Sequence, residues 1–323
     1  MCSDAYSIKS PSYFLRFVIS AAATVLVVTS LHAQDPGQSQ DRAQLLRTQP
    51  NPTYGQGETS GEDQGYAVAS PNDKDLGEQQ ILKRAEEYKP FTFSFAAPFF
   101  YTSNAALTSR GAEDDWLVAP AMAFTYQPRI TKTFYGEISL VQQFFYYDRF
   151  TDLNFTSFDA VVGVACYFPE YHDLSLRARY DFNRLTDDDF NEFFNNQALI
   201  LNAELPFRIG RAQQIVVGLN TEFSFASDPN GPRRNDYSFY VGYSVNLSRS
   251  FSINTSAMLA VRDYYVGDRT DVNEILALSA NYRLRDWLTL SFLSSFAWNQ
   301  SNQSVFDYNV ANVGGGVALT FRF

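Results

Sequence analysis

The 323-residue chain carries a formal charge of -10; charged residues make up only 19% and aromatics 16%, 29 of them Phe and 20 Tyr. The acidic balance excludes a nucleic-acid partner, which would need a basic footprint. Sparse charge with abundant rings also argues against an ordinary helical enzyme.

The first element is an export signal. Lys9 and Arg16 precede the run "FVISAAATVLVV", and "LHA" follows, with small Ala33 before Gln34. A basic start, an apolar stretch and a small-residue site describe a secretory signal peptide cleaved after Ala33. The run falls short of the roughly 20 apolar residues needed to span a bilayer as a helix. Cys2 leaves with the signal, so Cys166 has no partner for an internal disulfide. Residues 34–90 then read as a disordered periplasmic extension, because 34–72 are rich in Gln, Gly, Pro, Ser and Asp. Within it, "DLGEQQILKRAEEY" predicts one short amphipathic helix near 75–88.

From Phe91 to Phe323 the period is two. In "LSLRARYDFN", Leu174, Leu176, Ala178, Tyr180 and Phe182 share one face, and Ser175, Arg177, Arg179, Asp181 and Asn183 the other. The stretches "YSFYVGYSVNL" and "QIVVGLNTEFSF" alternate in the same way. Such alternation is the signature of strands with one apolar face. It recurs in twelve segments between 91 and 323, joined by connections that alternate between short turns and longer polar loops. A β-propeller would interrupt the alternation at every short blade strand, whereas here it often persists for ten to fifteen residues.

A strand crossing hydrocarbon needs about 9–11 residues. A lipid-embedded backbone must be fully hydrogen-bonded, which leaves only helices and closed barrels. No segment after the signal is apolar enough for a spanning helix. The sequence therefore predicts an all-β fold: a closed antiparallel transmembrane β-barrel of twelve strands spanning 91–323, with rings gathered at both interfaces. Its last strand, "VALTFRF", alternates through Leu319 and Phe321 to Phe323. This ending resembles the C-terminal strand of Gram-negative outer-membrane β-barrel proteins. The resemblance covers 91–323 as a pattern and implies a cell outer-membrane location with both termini periplasmic. It also implies that Leu319, Phe321 and Phe323 form the strand read by the barrel-assembly machinery, with membrane lipid and lipopolysaccharide as surroundings.

Glu137, Asp159, Arg177, Arg179, Asp181, Glu204, Glu222, Arg262, Glu274 and Arg283 are expected to line the lumen. Charges inside a barrel form either a packed network or the lining of a water path. Twelve strands fall between filled eight-stranded barrels and open porins. The leading expectation is a narrow, porin-like passive channel for small polar solutes. A plugged barrel serving structure or surface interaction is the alternative, with the extension as one candidate plug; an outer-membrane hydrolase comes third. His32 leaves with the signal and His172 falls in a short turn, so no Ser–His pair forms at the long-loop rim. No His/Cys cluster suggests a metal, and no cofactor is expected. "DDDFNE" at 187–192 reads as a solvated acidic loop, and "GGG" at 314–316 as a bend or close backbone approach.

Overall fold

Period-two alternation becomes strand throughout the region where it was read. The computed structural model describes residues 35–47 and 88–323, residue 211 excepted. The signal segment 1–33 and the helix expected near 75–88, apart from Tyr88, lie outside the described residues.

The strands in chain order are β1 (Phe91–Thr102), β2 (Asp115–Val118), β3 (Ala121–Tyr126), β4 (Phe134–Tyr147), β5 (Phe155–Phe168), β6 (Leu174–Thr186) and β7 (Glu192–Ile209). They continue as β8 (Gln213–Asp228), β9 (Arg234–Asn246), β10 (Phe251–Tyr264), β11 (Thr270–Arg285), β12 (Leu288–Ser301) and β13 (Tyr308–Arg322). From β4 onward each pairs antiparallel with the next in sequence, β2 and β3 each pair with both β1 and β4, and β13 returns to pair with β1, closing the sheet. β2 and β3 share one position in the wall, so thirteen strands make a twelve-position barrel. The break falls at Ala119–Pro120 because Pro120 has no N–H for the ladder. The ladders continue across the break through Ala119 N donating to Pro98 O, and Phe144 N to Pro120 O, both at 2.9 Å.

The apolar parity faces outward. Leu219 (57% exposed), Phe292 (49%) and Phe239 (45%) stand bare on the outer wall, while their strand neighbours point inward. A soluble sandwich would bury these rows against each other. Rings cluster near the strand ends: Phe223 lies 6.0 Å from Tyr237, and Phe296 4.0 Å from Trp298 at the long-loop end. At the short-turn end Phe321 stacks on Trp287 at 6.3 Å. The terminal residue is held in the closing ladder: Phe323 N donates to Phe91 O at 3.0 Å, and Phe91 N to Phe323 O at 3.3 Å.

The extension departs from expectation. Residues 36–47 form a helix, α1 (Pro36–Arg47), where a disordered linker was expected. Pro36 suits the first helical position, where no N–H bond is needed. Gly37 and Ser39 in the first turn lower its intrinsic helicity. A helix this short is marginal alone in water and depends on its surroundings. Here they enclose it: Ser39, Asp41, Arg42, Ala43, Leu45 and Leu46 are all buried.

Candidate functional site: a helix clamped in the barrel lumen

α1 sits inside the barrel, at the end where 103–114 and the other long loops connect the strands. One face carries Asp41 and Gln44, three positions apart and therefore neighbours on the helix surface. Both meet Arg234, near the start of β9, and Arg262, near the end of β10, which the antiparallel register brings side by side. Arg234 Nη1 donates to Asp41 Oδ1 at 2.6 Å, and its Nη2 to Gln44 Oε1 at 3.1 Å. Arg262 repeats the pattern, with Nη1 3.2 Å from Asp41 Oδ1 and Nη2 donating to Gln44 Oε1 at 2.8 Å. Each planar guanidinium fork thus spans the same two helix side chains, a use of arginine that lysine cannot copy.

The clamp has its own counter-charge. Asp236 Oδ1 lies 2.9 Å from Arg234 Nε, although out of line for a hydrogen bond, and Asp236 Oδ2 accepts from Gln44 Nε2 at 3.4 Å. Tyr264 Oη accepts from Arg234 Nη1 at 2.9 Å, and Tyr308 Oη and Asn299 Oδ1 receive Arg262 Nη1 at 3.5 and 3.4 Å. Burial alone would push the Asp41 carboxyl up, but Arg234 and Arg262 outweigh it and hold it below the usual carboxylate range. Arg269 is occupied separately: it pairs with Asp271 and lies over the rings of Tyr264 and Phe306, at 4.1 and 3.6 Å.

The rest of α1 packs on apolar lumen residues. Ala43 and Leu46 belong with Phe100, Leu117, Phe145, Phe155, Leu185, Phe194 and Leu293, drawn from strands around the barrel. Leu45 joins Ile275, Ala297, Tyr308 and Val310. Burying Leu45 and Leu46 contributes about 1.5–3 kcal/mol each. Arg42 lies over the rings of Tyr147 and Phe155, at 5.9 and 5.6 Å, and donates to Ser39 Oγ at 3.1 Å. The 103–114 loop folds down over the helix, burying Ala105 and Leu107 in the same two clusters. Asn104 holds the loop: its Nδ2 donates to Thr108 O at 2.9 Å and Asn309 O at 3.1 Å. The extension was one candidate plug from sequence, but its helix over 36–47 and the seat that receives it were not read. The signal lay in neighbouring aromatic pairs, Phe99–Phe100 and Phe144–Phe145, which put one ring on each face of a strand.

Below the helix the lumen is polar. Glu137, Asp159 and Arg177 are buried on the inner face. Arg179, Asp181, Glu204 and Glu222 share the inward parity, and Arg283 lies at its short-turn mouth. Asp159 accepts from Asn183 Nδ2 at 2.7 Å, and Arg177 Nη2 donates to Tyr167 Oη at 3.5 Å. Glu137 and Glu204 are electrostatic neighbours of Arg177. Arg262 is fully buried, but in the helix clamp instead of along an open path. Glu274 must be corrected: it is exposed on the outward parity with Leu276, while Asn273 and Ile275 point inward. Odd positions face the lumen along β11, so Glu274 and Arg283 cannot share the inner face of one regular strand. Gly314 allows β1 to approach closely, because a Cβ there would collide with the Phe99 carbonyl oxygen and lie 2.8 Å from Phe100 Cδ1. Among the described residues His172 is in the short turn after β5, with its ring 6.3 Å from Phe207.

No protein-family model matches the chain, and no curated protein does. Among solved structures, an outer membrane channel from Pseudomonas putida F1 is similar over 73% of this chain and 97% of its own, with a TM-score of 0.53 at 9% identity. Outer membrane phospholipase A from Escherichia coli aligns over 70% and 92%, with a TM-score of 0.43 at 12% identity. A KdgM porin in complex with oligogalacturonate aligns over 71% and 99%, with a TM-score of 0.39 at 8% identity. The likeness to the Pseudomonas channel is one of fold: this chain has the fold of the outer-membrane β-barrel proteins.

Proposed function

We propose that the protein is an outer-membrane channel for small polar solutes, held shut by its own N-terminal helix. Export through the signal at 1–33 would bring it to a Gram-negative outer membrane, with short turns and both termini periplasmic. Leu319, Phe321 and Phe323 would present the closing strand to the assembly machinery, and lipopolysaccharide would surround the long-loop rim.

The observation that carries the reading is the position of α1. A helix with its side chains is about 10–12 Å across, which suits the interior of a twelve-position barrel, intermediate between filled and water-filled sizes. The lumen below it keeps a mixed lining of Arg177, Arg179, Glu137 and Glu204, as an ion or solute path would. To the narrow passive channel expected from the sequence this reading adds a gate, the extension that was its candidate plug. A purely structural barrel is the second reading, favoured by the apolar packing of Leu45 and Leu46. Single-channel recordings separate the two. Substituting Asp41→Ala together with Leu45→Ala removes the clamp and one apolar anchor, and should raise conductance severalfold above the native protein. A double variant that inserts normally but carries no added current would sink the channel.

A further inference from the structure

We infer that Arg234 and Arg262 form a binding site for a hydroxy-carboxylate solute, and that Asp41 and Gln44 occupy that site while the channel is shut. The inference rests on the gated-channel reading and names the solute class of the same lumen. The two guanidinium forks define what fits between them. Each places Nη1 on a carboxylate oxygen, at 2.6 and 3.2 Å, and Nη2 on a second, uncharged oxygen, at 3.1 and 2.8 Å. Guanidinium–carboxylate hydrogen bonds are charge-assisted and strong, and the rigid fork fixes the spacing between the carboxylate oxygen and the second oxygen. The group at the second position must also face Asp236 Oδ2, to which Gln44 Nε2 donates at 3.4 Å. A hydroxyl accepts from both arginines and donates to Asp236 in one atom; an aldehyde or ether oxygen does not.

Charge narrows the class further. With the helix withdrawn, Arg234 and Arg262 face Asp236, and Arg269 remains paired with Asp271. One positive charge is left over, which suits a monoanion better than a dianion. Glu222 stands opposite Asp236 in the β8–β9 ladder, with Asn196 Nδ2 donating to it at 3.2 Å, and it disfavours further negative charge. A cavity of 470 Å³ at the long-loop rim is lined by Ser109, Asn299, Ser301, Asp307 and Tyr308. Asn299 and Tyr308 also receive Arg262 Nη1, so the cavity and the clamp share two residues.

Sodium gluconate is the probe, with glucose, acetate and inorganic phosphate beside it. In the full-length protein, gluconate should speed amide exchange across 36–47 about tenfold, because it competes with the helix, while glucose and acetate leave it unchanged. By calorimetry, the Asp41→Ala/Leu45→Ala protein, with its site vacated, should bind gluconate about tenfold more tightly than the native chain. Adding Arg262→Gln should cost at least tenfold, and Arg262→Lys, which keeps the charge and loses the fork, nearly as much; heat-modifiable migration checks that each barrel is folded. Gluconate binding no tighter than glucose, phosphate binding as tightly as gluconate, or binding indifferent to Arg262→Lys would each overturn the site. A release variant that conducts but ignores gluconate refutes this inference alone. One that binds gluconate yet passes no current refutes the channel alone.

Discussion

Replacing Asp41 with Asn should undock α1 by a measurable factor. The carboxylate is 3% exposed and lies within 3.2 Å of two arginines that are themselves 2% and 0% exposed. Removing one member of a buried ion cluster costs about 3–5 kcal/mol, mostly because the remaining charges are left undercompensated. Asn keeps an oxygen acceptor for Arg234 Nη1, and Asp236 still faces both guanidiniums, so the lower end, about 3 kcal/mol, applies. At about 1.4 kcal/mol per tenfold, the docked-to-undocked ratio falls by roughly 100-fold. Hydrogen exchange across 36–47 reads this ratio directly, and open probability in planar bilayers reads its consequence. Asp114→Asn is the matched control. Its pair with Arg149 at 3.3 Å is more than half exposed on both sides, and its loss should cost under about 0.5 kcal/mol. If exchange in the Asp41→Asn protein stays within twofold of native, the arginine clamp does not hold the helix.

Acid should release the same helix. Because the docked Asp41 carboxyl lies below its ordinary value of 3.8, its contribution to docking is complete above that pH and is lost as pH falls through the docked value. Protection of 36–47 against exchange, taken relative to the intrinsic rate at each pH, should therefore be flat from pH 8 to 5 and fall below about 4, and a transition near neutrality would contradict the assignment. Leu45→Ala empties a site between Ile275, Val310 and Tyr308 and should weaken docking by about 2–5 kcal/mol, again read by exchange. In a protein already released by Asp41→Ala and Leu45→Ala, adding Arg177→Gln and Arg179→Gln should shift the reversal potential toward cation selectivity. Glu274→Gln in the same background should not move it, because that side chain faces outward.

The barrel was legible because its physics is local. Each strand writes its own two faces, and the outward-facing apolar rows of Leu219, Phe239 and Phe292 need no partner elsewhere in the sequence to be recognised. The C-terminal pairing of Phe321 with Phe93 follows once a sheet must close. The site was not legible in the same way. Asp41 and Arg234 are 193 positions apart, and nothing in either neighbourhood names the other. The segment "PGQSQDRAQLLR" is polar enough to read as linker, and so short a helix is marginal until the barrel buries it. Parity placed Arg262 and Asp159 inside but could not say which charges would be taken by the helix. It failed at Glu274, where a residue near the rim was assigned by its polarity instead of its position in the alternation.

The two halves of the helix interface respond differently to release, and this sets the resting state. The arginine clamp tolerates it: Asp236 stays beside Arg234 and Arg262, so withdrawal of Asp41 leaves a partly balanced cluster that water or an anion can complete. The apolar half does not. Phe145, Phe155, Phe194 and Leu185 are fully buried under α1 and the 103–114 loop, and withdrawal would turn them toward a wet lumen. Exposing that surface costs free energy in proportion to its area and is offset by nothing in the barrel itself. The helix, for its part, melts when it leaves, recovering backbone entropy of about 1–2 kcal/mol per residue. Apolar burial therefore favours the shut state, entropy opposes it, and the polar clamp is the adjustable term between them. A ligand that takes the clamp need not pull the helix out; it has only to remove that term.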